Sequence, residues 1–240
     1  MNPSKLKVMN IQQFRFNLFQ EKCRLVWEDP QNVTVVDPGF YNGNEEKDFF
    51  DFVDGNNLKI KNILLTHGHP DHIFGVSTIQ ERTGAEAYMH PGEKAVLRQA
   101  VKLIGRFGLH EPSCGFSTKD ISDGDVLELG GIRFEVIETP GHTPGGVCYY
   151  VREKGILFSG DTLFAGAIGR TDLELGDYNR EIVSIMEKII WLPADTIVYP
   201  GHGPNTTIGR ERTENPFLEP FNEPEEGTSD EVDPVILSNR

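Results

Sequence analysis

The sequence predicts an α/β protein in which two sheets pack together with helices on their outer sides. Two observations predict it. Short runs rich in Val, Ile and Leu end in Gly, Pro or Asp turn signals and give way to amphipathic stretches, and this order of strands then helix occurs twice. The chain has 240 residues and is 38% hydrophobic, enough for one large or two small domains with a sizeable core.

The elements are expected as follows. Extended segments cover 8–16, 22–28 and 33–37, the last closed by Asp37-Pro38-Gly39. Residues 44–54 form an amphipathic helix with Phe49, Phe50 and Val53 on one side. The strand Leu58–Thr66 stops at His67. A helix over 73–83 ends at Gly84, a strand covers 85–89, and a longer helix covers 92–106. Residues 105–120, with Gly, Pro and Ser and no period, read as a loop or lid. Strands at 126–129 and 132–138 meet in a hairpin at Gly130-Gly131. Strands at 146–151 and 155–159 turn at Glu153-Lys154. A helix over 178–191 places Ile182, Ile185, Ile189 and Ile190 inward, and a strand follows at 195–199.

The tail is different in kind. From Pro216 to Arg240 it holds seven acidic residues against one basic, and few apolar ones. The expected division is a folded domain at 1–215 and an acidic C-terminal extension at 216–240.

Charge restricts function. The chain carries 23 Lys and Arg against 37 Asp and Glu, a net charge of −14. Such a chain repels nucleic acid and anionic membrane, so neither is expected as a partner, while a small-molecule substrate remains open. Three widely spaced cysteines (Cys23, Cys114 and Cys148) make no disulfide framework, and no apolar run has the length of a signal peptide or membrane span. A cytoplasmic location is the expectation. The sequence leaves the oligomeric state open.

The chemistry concentrates in Thr66-His67-Gly68-His69-Pro70-Asp71-His72, directly after an apolar strand. Imidazole nitrogen and carboxylate oxygen both suit zinc, and imidazole also suits iron. A loop at a strand end can turn successive side chains to one point. The bland alternative is a polar turn with Asp71 as a helix cap. Three further segments have the form of an apolar strand, then glycine beside His or Asp: Gly141-His142, Gly160-Asp161 and Gly201-His202. Taken singly, each reads as a turn. Together they assemble His67, His69, Asp71, His72, His142, Asp161 and His202. One ion needs three or four protein ligands, so seven suggest two ions sharing a carboxylate.

These four ordered motifs, HxHxDH at 67–72, GHTPGG at 141–146, GDTLF at 160–164 and GHGP at 201–204, resemble the metallo-β-lactamase-fold superfamily over residues 10–215. The resemblance implies a four-layer αββα sandwich with the site at one edge of the sheets. It implies His67, His69 and His142 on a first divalent ion, Asp71, His72 and His202 on a second, and Asp161 bridging. Zinc is the first expectation, with iron or manganese as alternatives. Asp161 stands where the best-known zinc β-lactamases have cysteine, which argues against antibiotic hydrolysis.

The segments Gly169-Arg170-Thr171-Asp172 and Glu214-Asn215-Pro216-Phe217 are more similar to small glyoxalase II-like hydrolases. That likeness implies a dinuclear metal-dependent hydrolase cleaving a thioester, such as a hydroxyacylglutathione, through a metal-bridging hydroxide oriented by Asp71. The helical domain that carries part of the glutathione site in the larger enzymes is not expected from the short, mostly acidic segment after His202. Arg170 is a candidate for an anionic part of the substrate, or a surface ion pair. Persulfide dioxygenases with one iron share the fold and the GRTD segment, and lactonases are a third reading. A structural metal protein is the non-catalytic reading, disfavoured because seven His and Asp ligands leave coordination positions open.

The remaining residues have plain expectations. His90 caps the helix near Gly92, His110 is a solvent-facing lid residue, and Cys148, Trp27 and Trp191 serve packing. Lys102 and Lys119 are candidates for charge at the site mouth.

Overall fold

The computed structural model describes residues 8–105, 108–109 and 113–219. His110, the Lys102 side chain, and the acidic extension from 220 onward lie outside the described residues.

The first sheet is built from β1 (Asn10–Gln13), β2 (Arg24–Trp27), β3 (Val33–Val36), β4 (Ile60–Leu64), β5 (Glu86–Met89) and β6 (Thr118–Asp120), in that order. β1 to β3 pair antiparallel and β3 to β6 parallel. The parallel crossovers need helices, and the sequence supplies them: α1 (Gly43–Gly55), α2 (Pro70–Ile73), α3 (Val76–Thr83) and α4 (Lys94–Gly105). Asn42 caps α1 by accepting from the amides of Asn44 and Glu45. Gly84 ends α3 in the left-handed conformation.

The second sheet contains β7 (Val126–Leu129), β8 (Ile132–Glu138), β9 (Val147–Val151) and β10 (Ile156–Gly160). A two-stranded hairpin, β11 (Leu163–Phe164) and β12 (Ala167–Ile168), follows. β13 (Ile197–Pro200) and β14 (Thr206–Thr207) complete the sheet in the order β14-β13-β10-β9-β8-β7. The β7–β8 turn has positive φ at both Gly130 and Gly131, as a type I′ turn requires. A Cβ at 130 would also lie 2.3 Å from the Asn32 carbonyl.

Strand alternation divides the core into three layers. Leu64, Val36, Phe134, Tyr149 and Phe158 pack between the sheets. Their neighbours Ile63 and Val35 face outward, against Phe49, Phe50 and Val53 of α1 and Val76 and Ile79 of α3. On the other side Cys148, Tyr150 and Leu157 pack against Ile185, Ile189 and Ile190. Burying a Phe such as Phe49 contributes about 1.5–3 kcal/mol. The result is the expected αββα sandwich.

Some expectations are corrected. The helix over 178–191 is α5 (Tyr178–Ser184) running into a π-helical turn at Ile185–Ile189, and Trp191 beyond it is exposed rather than packed. The stretch read as loop to 120 ends in β6, a polar Thr-Lys-Asp strand paired parallel to β5. The hairpin β11–β12, β14, and helix α6 (Ile208–Glu214) are too short to show a period. Lys119 pairs with Glu86 at 2.7 Å. Leu218 is buried in the outer core beside Ile208. Among the described residues no helix is long and apolar enough to cross a membrane.

Candidate metal centre

β8, β10 and β13 run in one direction, so their C-terminal ends share one edge. The end of β4 joins them through Val147 N, which donates to Thr66 O at 2.9 Å. His67 and His69 leave β4, Asp71 and His72 start α2, and His142, Asp161 and His202 follow β8, β10 and β13. A Cβ at 201 would lie 2.3 Å from Asp161 Oδ1 and 2.7 Å from the His72 ring, so glycine lets the last loop close over the others.

All seven residues converge there. Three groups bring their ligand atoms within 4.8 Å of one another: His67, His69 and His142; His67, His72 and Asp161; Asp71, His72 and His202. His142 Nε2 is 2.9 Å from His69 Nδ1, and His202 Nε2 is 3.3 Å from both His72 Nε2 and Asp71 Oδ2. Asp161 lies between the sets: Oδ1 is 3.4 Å from His72 Nε2, and Oδ2 is 3.6 Å from both His142 and His202.

The imidazoles are aimed by their second nitrogens. His142 Nδ1 donates to Arg170 O at 2.7 Å, and His202 Nδ1 donates to Phe19 O at 2.9 Å. His72 Nδ1 donates to Asp37 Oδ2 at 3.0 Å. The Thr66 hydroxyl donates to the same carboxylate and so accepts from His67 Nδ1 at 3.1 Å. With the Nδ1 proton held outside, each of these four rings points Nε2 inward, where its lone pair would be offered to a cation. His67 Nε2 and Asp161 Oδ1 are buried with no hydrogen-bond partner. Converging lone pairs and an orphaned carboxylate oxygen are what a divalent cation satisfies, so these residues fit one.

The electrostatics agree. Burial drives His69 down to about 3, and neighbouring His142 adds to the effect. Burial likewise lowers His67, with His72 contributing. Burial favours a neutral Asp161, but His72 and His202 outweigh it and hold the carboxyl well below its usual range. Asp71 is lowered in the same way by His72 and His202. Burial also opposes charge on His72, yet Asp161, Asp71 and Asp37 push it well above an ordinary imidazole. The carboxylates thus favour positive charge at their centre.

Three supporting acids escaped the sequence reading. Asp37 fixes His72, Thr66 and the Thr66 amide at once, yet Asp37-Pro38-Gly39 reads as a turn. Glu93 is fully buried and accepts from Gly68 N at 2.6 Å and Gly145 N at 2.8 Å, tying together the two loops that carry His67, His69 and His142. Glu181 accepts from His142 N at 2.7 Å. Both glutamates sit in helical turns with no local mark. His90 accepts from Gly92 N as expected and also meets Glu138 at 2.9 Å.

A cavity of about 440 Å³ opens on this cluster. His69, Asp71, His142, Asp161 and His202 form its floor, and Phe19, Ile104, Phe164, Ile168 and Leu173 form its walls. Arg170 stands at the rim, its guanidinium paired with both oxygens of Asp172 at 2.8 and 2.9 Å.

The model of the metallo-beta-lactamase superfamily matches residues 17–202. Hydroxyacylglutathione hydrolase GloC of Haemophilus influenzae is 37% identical over 212 residues, spanning 88% of this chain and 98% of that protein. Among solved structures, the BLEG-1 B3 metallo-beta-lactamase is 34% identical with a TM-score of 0.79, covering 87% of this chain and 99% of that one. TTHA1623, solved in a di-iron-bound form, is 32% identical with a TM-score of 0.77, covering 86% and 100%.

Proposed function

Because the chain belongs to the metallo-beta-lactamase superfamily, we propose that this metal-dependent hydrolase cleaves a thioester of the hydroxyacylglutathione type at a centre of two divalent ions, zinc first among them. The observation that carries the reading is the place of Asp161. Its oxygens lie within 3.6 Å of His142 from the first ligand group and of His72 and His202 from the second, so one carboxylate would serve both groups. The kinship with GloC supports the substrate class.

When bound, two such ions supply an activated water at neutral pH and offset the charge that develops on the carbonyl oxygen. The chain's own residues do the rest. His67, His69 and His142 would hold one ion, and Asp71, His72 and His202 the other. Asp37, Phe19 O and Arg170 O keep three of these rings from turning. Asp71 stays ionised against burial and lies on the cavity floor, where its carboxylate, besides holding an ion, could accept a hydrogen bond from the attacking water and set its direction. The leaving thiolate is stable enough to depart without a general acid, and no buried serine or cysteine nucleophile is needed.

The test is metal analysis of the native protein, together with turnover of S-lactoylglutathione, other thioesters, a persulfide and a β-lactam. Two ions per chain and thioester cleavage without oxygen uptake are expected. One iron with oxygen consumption on the persulfide would overturn the reading, and so would turnover of the β-lactam alone.

A further inference from the structure

The walls of the cavity have a character that the metal cluster does not require. Phe19, Ile104 and the stretch that carries Phe164, Ile168 and Leu173 reach it from three separate parts of the chain. Their convergence places an apolar surface directly beside a charged reaction centre. The wall is also held in place. Glu211 is buried and accepts from Gly166 N at 2.8 Å, in the turn of the β11–β12 hairpin. Asn215 donates to Ala167 O at 3.1 Å and to Glu211 at 2.8 Å. These two residues fix the strands that present Phe164 and Ile168. Phe19 is fixed through both of its backbone polar groups, its amide donating to Asn17 Oδ1 at 2.9 Å and its carbonyl accepting from His202.

A preformed apolar wall gains free energy only when an apolar group displaces water from it. Among the described residues that line the cavity the one Lys or Arg is Arg170, and its charge is already matched by Asp172. We infer that the substrate carries an apolar arm, aliphatic or aromatic, beside its scissile carbonyl, and that this arm packs on Phe19, Phe164, Ile168 and Leu173. This inference rests on the thioester reading and narrows its substrate class. A thioester has two arms, acyl and thiol, and the wall can take either.

The test separates the arms and the two readings. The metal-loaded protein is titrated calorimetrically with straight-chain thiols and, separately, straight-chain carboxylates of two to eight carbons. Affinity is expected to rise by up to about fourfold per added methylene in one of the two series. A trend in the thiols assigns the wall to the thiol arm, and a trend in the carboxylates assigns it to the acyl arm. The same slope should appear in kcat/KM for the matching thioesters, and Phe164→Ala should flatten both. Flat affinities in both series would overturn the inference. A slope in binding with no turnover of any thioester would leave the apolar subsite standing and remove the thioester reading instead.

Discussion

The floor and the wall of the cavity are fixed from opposite sides. On the floor and just beneath it, His67, His72, His142 and His202 are each gripped through the ring nitrogen that faces away, by Thr66, Asp37, Arg170 O and Phe19 O. Across the cavity, Phe164 and Ile168 have no polar handle, so their strands are held from behind by Glu211 and Asn215. The floor therefore resists rotation of single rings, whereas the wall moves or stays as a hairpin. Substitutions should split accordingly. Damage to the floor should appear in metal content and kcat, and damage to the wall in KM.

The largest effect is expected at the centre of the floor. Asp161→Ala removes the carboxylate that lies within 3.6 Å of three imidazoles. It should lose bound metal and lower kcat/KM by on the order of 10³ or more. Elemental analysis and turnover on the same preparation measure both. Full metal content with unchanged turnover would end the assignment of Asp161.

A smaller effect is expected behind the wall. Glu211→Gln keeps the shape but replaces one of two oxygens that accept from Gly166 N, Thr206 Oγ1 and Asn215 Nδ2. Weakening one buried hydrogen bond costs about 1 kcal/mol. Loosening of the hairpin should raise KM roughly fivefold, the equivalent of that energy, with the metal content of the wild type. Loss of metal in this variant would show that floor and wall are one unit, and the distinction would fail.

The same division governs what the sequence reveals. The floor is legible because its residue types are scarce and chemically committed. His67, His69, Asp71 and His72 lie within six positions, and each of the other three ligands follows a strand and adjoins a glycine. The long strands and α1 are legible for a related reason, since their apolar periodicity matches the layer they enter, as Phe49, Phe50 and Val53 show. The wall is not legible. Phe164 and Ile168 sit on strands of two residues, too short for alternation, and Leu173 and Phe19 lie in loops. Glu93, Glu181 and Glu211 look like the surface glutamates of amphipathic helices, and only the fold shows that their carboxylates face buried amides. Trp191 shows the converse: a large apolar residue at a helix end suggests packing, but it lies beyond the π turn and is 70% exposed.

Arg170 lies on the border between floor and wall, and the smallest effect should come from it. Its carbonyl belongs to the floor, where it accepts from His142 Nδ1, while its guanidinium belongs to the rim. Arg170→Ala keeps the carbonyl and removes only the side chain, so metal content should match the wild type. The lost ion pair with Asp172 is between side chains 58% and 70% exposed, and such pairs contribute about 0.2–1 kcal/mol. KM for a thioester with an apolar arm should therefore change by less than about fivefold, the equivalent of that range. A much larger rise confined to S-lactoylglutathione would mean that the guanidinium leaves Asp172 to bind an anionic arm. The rim would then discriminate substrates by charge, and the wall alone would not set specificity.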